Sequence, residues 1–276
     1  MTVLIISADD YAQSPAIDAG ILALIQQQRL TATSCLSLSP RWTEAAKLIT
    51  GDIRSKADIG LHLDFTQYEQ PLRNALPKLI VRTIGRGLPR NAICESIKTQ
   101  LNRFEDALGV APDYIDGHQH VHQLPQIRDE LLAILAQRYA DKLPWIRIAQ
   151  PPLQDGFKAM IIGMLGASRL RCGAIEAGLR HSGALLGVYG FSGDRTDYIQ
   201  RLAAWLHHAQ SNSGDVISAL MCHPALAMPS SNSELDDPIY GARLREYKVF
   251  ASDEFQALLV QYDIQLARGD ALALRH

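Results

Sequence analysis

Cysteine is scarce in this sequence and none of it is paired. Cys35, Cys94, Cys172 and Cys222 are scattered over 276 residues with no Cys-x-x-Cys spacing. That pattern argues against both a disulfide framework and a thiolate zinc site, and it fits a reducing compartment. An excess of charge is also missing: the formal net charge is −2 at pH 7 and the isoelectric point about 6.5. No basic surface therefore invites nucleic acid or an anionic membrane. There is no glycine-rich dinucleotide turn, no P-loop, no repeat of fixed period and no low-complexity tract. The apolar stretches fall well short of the roughly 18–20 residues that a membrane span needs. The opening Met1–Ile6 run lacks the basic and long apolar regions of a signal peptide, so the expected location is cytoplasmic.

What is present is an ordinary globular composition, 47% hydrophobic and 20% charged. The length suits one large domain, 1–276, at least as well as two small ones. The densest chemistry lies in Asp116-Gly117-His118-Gln119-His120-Val121-His122, which holds three of the nine histidines within seven residues. On an extended backbone, Asp116, His118, His120 and His122 would share one face. Imidazoles at that density point to a divalent metal or to proton transfer near neutral pH.

Along the chain, short apolar runs alternate with helical patterns. Val3–Ser7 reads as a strand covered on both faces, ending at Asp9-Asp10. Ser14-Pro15 reads as the cap and first residue of a helix carrying Ile17, Ile21, Leu24 and Ile25. Thr33–Leu38 is a second strand, Trp42–Ile49 a second helix, and Asp58–Leu63 a third strand holding His62. The stretch 64–88 shows little periodicity and reads as a substrate loop. A helix follows over 89–108 and stops at Gly109; another runs from Ile127 to Tyr139, and Trp145–Ile148 is a short strand. The segment 151–186 reads as an inserted helical pair that either covers the site or forms a homodimer contact. A helix over 196–209 capped by Asp194, a strand over 216–221 and a last helix capped by Ser252 complete the pattern, followed by the apolar pair Ile264 and Leu266. Strands alternating with helices imply parallel βα units, hence an α/β barrel or a barrel-like fold.

In such folds the chemistry collects at the carboxyl ends of the strands. Asp9-Asp10, His62, the 116–122 stretch and His223 all fall there. A divalent ion held by one carboxylate and two imidazoles keeps open positions for water and substrate. Adjacent aspartates cannot point identically from an extended backbone, so one can ligate an ion while its neighbour accepts a proton. A separate imidazole can protonate a leaving amine.

Ala8-Asp9-Asp10-Tyr11, Gly60-Leu61-His62-Leu63, the 116–122 stretch and Cys222-His223-Pro224-Ala225 together resemble the YdjC-like carbohydrate deacetylases. That family includes chitooligosaccharide and hopanoid-biosynthesis deacetylases. The resemblance implies a distorted (β/α) barrel of the glycoside hydrolase/deacetylase type and hydrolysis of an N-acetylated sugar. It implies one divalent ion, Mg2+ or Zn2+, on Asp10, His62 and His118, with Asp9 as general base and His223 as general acid. His120, His122 and Asp116 become substrate-facing or supporting residues. Arg147, at a strand end, either pairs with a carboxylate or substrate or lies on the surface. Where the family commonly has Phe-Gly after the paired aspartates, this chain has Tyr11-Ala12. An altered turn and pocket floor are expected there. A metal-dependent phosphoesterase and a non-catalytic sugar-binding relative are the competing readings.

Overall fold

The computed structural model describes residues 1–212, 216–228 and 237–272. Its strands are β1 (Thr2–Tyr11), β2 (Ala32–Cys35), β3 (Asp58–Leu63), β4 (Tyr114–Gly117), β5 (Trp145–Ile146), β6 (Leu185–Leu186), β7 (Ser218–Cys222) and β8 (Ile264–Leu266). Every pairing among these strands is parallel, in the order β5-β4-β3-β2-β1-β7-β6. β8 adds to Thr2–Leu4, upstream of the stretch of β1 that pairs with β2. The sheet curls until its ends approach. Ile146 N–H donates to the Arg180 carbonyl at 2.9 Å, and Gly183 N–H donates to the Ile217 carbonyl at 2.7 Å. The 180–183 segment thus spans the gap between β5 and the start of β7, giving the barrel-like fold that the sequence pattern implies, in the distorted form that the resemblance implies.

Burial explains why β1 reads as a near-continuous apolar run: Leu4, Ile5, Ile6 and Ala8 are all fully buried. The helices are α1 (Pro15–Gln26), α2 (Trp42–Ala46), α3 (Gly51–Lys56), α4 (Leu76–Ile84), α5 (Arg90–Leu108), α6 (Ile127–Arg138), α7 (Phe157–Met164), α8 (Ala167–Glu176), α9 (Arg195–Ser211), α10 (Tyr240–Phe250) and α11 (Asp253–Gln261). The Ser14 side chain caps α1 and Pro15 opens it, with Ile17, Ile21, Leu24 and Ile25 buried against the sheet. Asp194 caps α9 through a reciprocal capping box with Asp197, and Ser252 caps α11. The expected helix over 42–49 stops at Ala46, and a separate one starts after Thr50, whose side chain accepts from Ile53 N–H.

Two helices also depart from the pattern read in sequence. The supposed loop 64–88 contains α4, whose five apolar side chains are interrupted by Pro77, Lys78 and Arg82. Helix α10 had no clear apolar stripe to announce it, because its buried face includes Arg243 and Glu246. Among the described residues no helix is long and apolar enough to cross a membrane.

Candidate active site

The two aspartates of β1 reach the same cavity because β1 does not stay extended. Its register against β2 shifts between Ala8 and Tyr11, which face Thr33 and Cys35, so β1 carries one residue more than its neighbour. This is a β-bulge, and Asp10 takes the left-handed conformation within it at φ +68°. An alternation that would have sent Asp10 away from Asp9 is thereby broken. Ala12 is also left-handed, at φ +75°. It adopts the turn that a glycine would favour, with its N–H on Asp18 Oδ1 at 2.6 Å and its carbonyl accepting from Ser39 Oγ at 2.7 Å. Ala12 therefore carries local backbone strain that a glycine would not.

The histidine stretch corrects the expectation of an extended strand. β4 ends at Gly117, and 118–123 form a short 3-10 turn in which Gln119 and His120 are left-handed, at φ +53° and +62°. The imidazoles consequently diverge. His118 points to Asp10, with Nδ1 2.9 Å from Oδ1. His120 lines the cavity. His122 turns inward, fully buried, with Nε2 2.8 Å from the Arg147 carbonyl. One imidazole of the three joins the aspartates.

A second imidazole comes from β3. The register sets His62 directly opposite Asp116 of β4, and His62 Nδ1 lies 2.6 Å from Asp116 Oδ1. Nδ1 is thus occupied, and Nε2 faces Asp10 Oδ1 at 3.5 Å. One ligand atom each from Asp10, His62 and His118 lies within 4.8 Å of the other two. A carboxylate and two imidazoles, one held through its remote nitrogen by a carboxylate, is the donor chemistry and outer support of a divalent-ion site. The electrostatics agree. Burial alone would drive His62 down, yet Asp116 and Asp9 lift it to about 10. The site stabilises positive charge, and an ion there would take the place of that proton. Asp10 is held well below the usual carboxylate range: burial opposes its charge, but Arg243 and His118 outweigh it.

Asp9 sits one residue earlier and is held differently. Arg147, fully buried just past β5, grips it with Nη1–Oδ1 at 2.6 Å and Nη2–Oδ2 at 2.7 Å. The same Nη2 lies 2.9 Å from Asp116 Oδ2. Of the readings for Arg147, pairing with a carboxylate is the one observed. Burial raises the Asp9 carboxyl, but Arg147, His62 and His223 overcome it and leave it at about 2. His223 follows β7, where Ala8 pairs with Cys222, so it lies level with Asp9. Its Nε2 is 4.0 Å from Asp9 Oδ2, and its ring meets Phe191 edge-on at 5.2 Å. Burial pushes His223 below its ordinary value, against Asp9, Asp10 and Glu246.

These groups form the floor of a cavity of about 830 Å³. Its walls are largely apolar: Leu76 and Ile80 of α4, Ile161 and Ile162 of α7, Val188 and Phe191. The 64–69 turn that leads to α4 is built by Asp64, whose oxygens accept the N–H groups of Thr66, Gln67, Tyr68 and Glu69. Thr66 and Gln67 reach the cavity from that turn. The segment 151–186 contributes α7 to the cavity wall through Ile161 and Ile162.

Two residues at the site escaped the sequence reading. Arg243 places Nη2 2.7 Å from Asp10 Oδ2. Glu246 accepts from the His223 backbone N–H at 2.5 Å. Their one sequence signal was a charged pair at helical spacing, which resembles any solvated helix face.

The family model described as YdjC-like protein matches residues 3–261. A human protein named carbohydrate deacetylase is 26% identical over 98% of this chain and 90% of its own length. The mouse protein of the same name is also 26% identical, over 98% of this chain and 94% of its own. Among solved structures, one from Enterococcus faecalis V583, provisionally described as a cellobiose-phosphate cleavage protein, covers 99% of both chains at 22% identity with a TM-score of 0.74.

Proposed function

This chain belongs to the YdjC-like protein family, and from that premise and the geometry of the floor we propose that it is a metal-dependent carbohydrate deacetylase. The reaction is hydrolysis of the N-acetyl group of an amino sugar to acetate and a free amine. The observation that carries the reading is the division of two adjacent aspartates: Asp10 among the imidazoles His62 and His118, Asp9 on Arg147.

Asp10, His62 and His118 would hold one divalent ion, Mg2+ or Zn2+, which when bound would polarise the acetyl carbonyl and acidify the attacking water. The mixed oxygen and nitrogen donors suit zinc on softness. Arg147 holds both Asp9 oxygens, so Asp9 is ionised throughout the physiological range and its lone pairs are fixed in direction. As general base it takes a proton from the attacking water. A carboxyl of such low proton affinity passes that proton on. Facing it is His223, which takes up that proton on its imidazole and, as the imidazolium so formed, acts as general acid and protonates the leaving nitrogen. The water oxygen forms its bond to the acetyl carbon as the carbon–nitrogen bond breaks, and the amine departs with the proton. Asp116 and His122 support this array, Asp116 by holding His62 and Arg147, His122 by its contact with the Arg147 carbonyl. His120, on the cavity wall, faces the substrate.

A phosphoesterase with two ions would need a second set of ligands. The second cluster among the described residues, Asp9, His62 and Asp116, shares His62 with the first and has Arg147 already between its carboxylates. A cation is thus built into the place a second metal would take. A binding protein without catalysis has no physical need for the buried Asp9–Arg147 pair. Residues 1–276 form one catalytic unit in this reading, in the cytoplasm. A homodimer would use the exposed Leu153, Met160 and Met164 of the 151–186 segment, and the mass of the native protein in solution tests it. The function itself is tested by acetate release from a panel of N-acetylated amino sugars. Release from at least one is expected, and none from any would contradict the proposal.

A further inference from the structure

Helix α10 carries two buried charges one turn apart, Arg243 at 2% exposure and Glu246 at 1%. Burying either ion costs several kcal/mol before its partners are counted. Residues three apart on a helix usually pair with each other when their charges are opposite. Here they reach in different directions, to the two halves of the active-site floor. Arg243 donates from Nη2 to Asp10 Oδ2 at 2.7 Å and from Nε to Asp237 Oδ2 at 2.6 Å. Glu246 receives the His223 N–H on Oε2 at 2.5 Å and the Tyr189 hydroxyl on Oε1 at 2.6 Å. The helix is anchored to the same chain segment by its backbone, the Arg243 carbonyl accepting from Ala225 N–H at 3.2 Å.

We propose that α10 is a brace with separable duties, Arg243 positioning the metal ligand Asp10 and Glu246 positioning the acid His223. The inference rests on the deacetylase reading for the roles of Asp10 and His223. Arg243 occupies Oδ2 and leaves Oδ1 toward His62 and His118, so Asp10 offers the ion one oxygen. Asp237 fixes the guanidinium through Nε, which makes the contact depend on the shape of arginine as well as its charge. Glu246 does not touch the His223 ring. It fixes the backbone from which the ring projects past Phe191 toward Asp9.

The sign of the Arg243 effect discriminates between charge and geometry. A guanidinium beside a cation site repels the cation, so charge alone makes Arg243→Gln bind metal more tightly. Positioning makes both Arg243→Gln and Arg243→Lys bind it more weakly, by about tenfold or more, as losses of outer support for a metal ligand generally do. Glu246→Gln keeps metal affinity within about twofold and lowers kcat by about tenfold or more at saturating metal, with KM little changed. The test is zinc affinity by competition with a chromophoric chelator, alongside kcat and KM, on variants whose circular dichroism and thermal midpoint show them folded. Zinc binding unchanged or tightened in both Arg243 variants overturns the Arg243 half. A Glu246→Gln protein with unchanged kcat, or with metal affinity lost in parallel, overturns the Glu246 half. Should Arg243→Gln fail to fold, Arg243→Lys carries the same metal-affinity arm. Metal affinity is read without substrate, so a wild-type protein that binds zinc yet releases no acetate would count against the deacetylase reading and leave the Arg243 result standing.

Discussion

Asp9 and Asp10 are chemically identical neighbours held in different surroundings. Asp9 is committed to a buried guanidinium on both oxygens, while Asp10 shares one oxygen with imidazoles. Asp9→Asn keeps the shape and removes the lone-pair basicity. It is expected to lower acetate release by at least 100-fold, the scale of losing a positioned base, with metal content per chain nearly unchanged. Parallel loss of metal and activity would mean that the two aspartates are not divided in this way. Ala12 gives a stability prediction at the same scale. At φ +75° its Cβ is strained, so Ala12→Gly is expected to raise stability by roughly 0.5–1 kcal/mol in urea unfolding. A decrease would show that the strain is relieved by contacts of that methyl. These residues were legible because their side chains are unusual in strand-end positions. Arg243 and Glu246 were not, because charges at helical spacing on a polar helix look the same whether they face water or a site.

The elements position the site by register. β3 and β4 pair so that His62 faces Asp116, and the same pairing packs Tyr114 beneath β3 at Gly60. A Cβ on Gly60 would lie 2.4 Å from the Tyr114 ring, which is itself stacked on Trp145 with centroids 4.3 Å apart. The ring has no free side to move to. Gly60→Ala is therefore expected to destabilise the protein by about 1–3 kcal/mol, the scale of core overpacking, and to lower activity by shifting His62. An unchanged urea midpoint would contradict it. The element types of β1, β3, α1, α5, α9 and α11 were readable because caps and apolar period agree there. The 118–123 turn was not. Alternating histidines look like a strand, and nothing in the letters shows that Gln119 and His120 are left-handed. Only the tertiary position of His118 against Asp10 makes that conformation worthwhile.

At the scale of the whole molecule, the barrel concentrates ionisable groups in its interior, and stability becomes dependent on pH. His122 is fully buried, and burial pushes it down to about 4 despite Asp116. The unfolded chain takes up that proton near pH 6.5 and the folded chain resists it. The stability is therefore complete above about pH 6.5 and is lost as pH falls through 4. The loss between pH 7 and pH 5 is roughly 2 kcal/mol for this group, read as a lower urea midpoint at pH 5. In His122→Gln that slope is expected to be shallower, and an identical slope would reassign the effect. The barrel itself was legible from the alternation of strands and helices. How its ends close, through the 180–183 segment, was not, because that contact is made by backbone groups that any sequence supplies.

The central claim is that one ion per chain, held by Asp10, His62 and His118, is needed to release acetate. Metal-free protein titrated with zinc or magnesium, with acetate release from an N-acetylated amino sugar followed at each addition, tests it most directly. Activity is expected to rise with metal, to saturate at one equivalent, and to stay absent in Asp10→Asn at the same loading. Activity undiminished without metal, or a break at two equivalents, would contradict it.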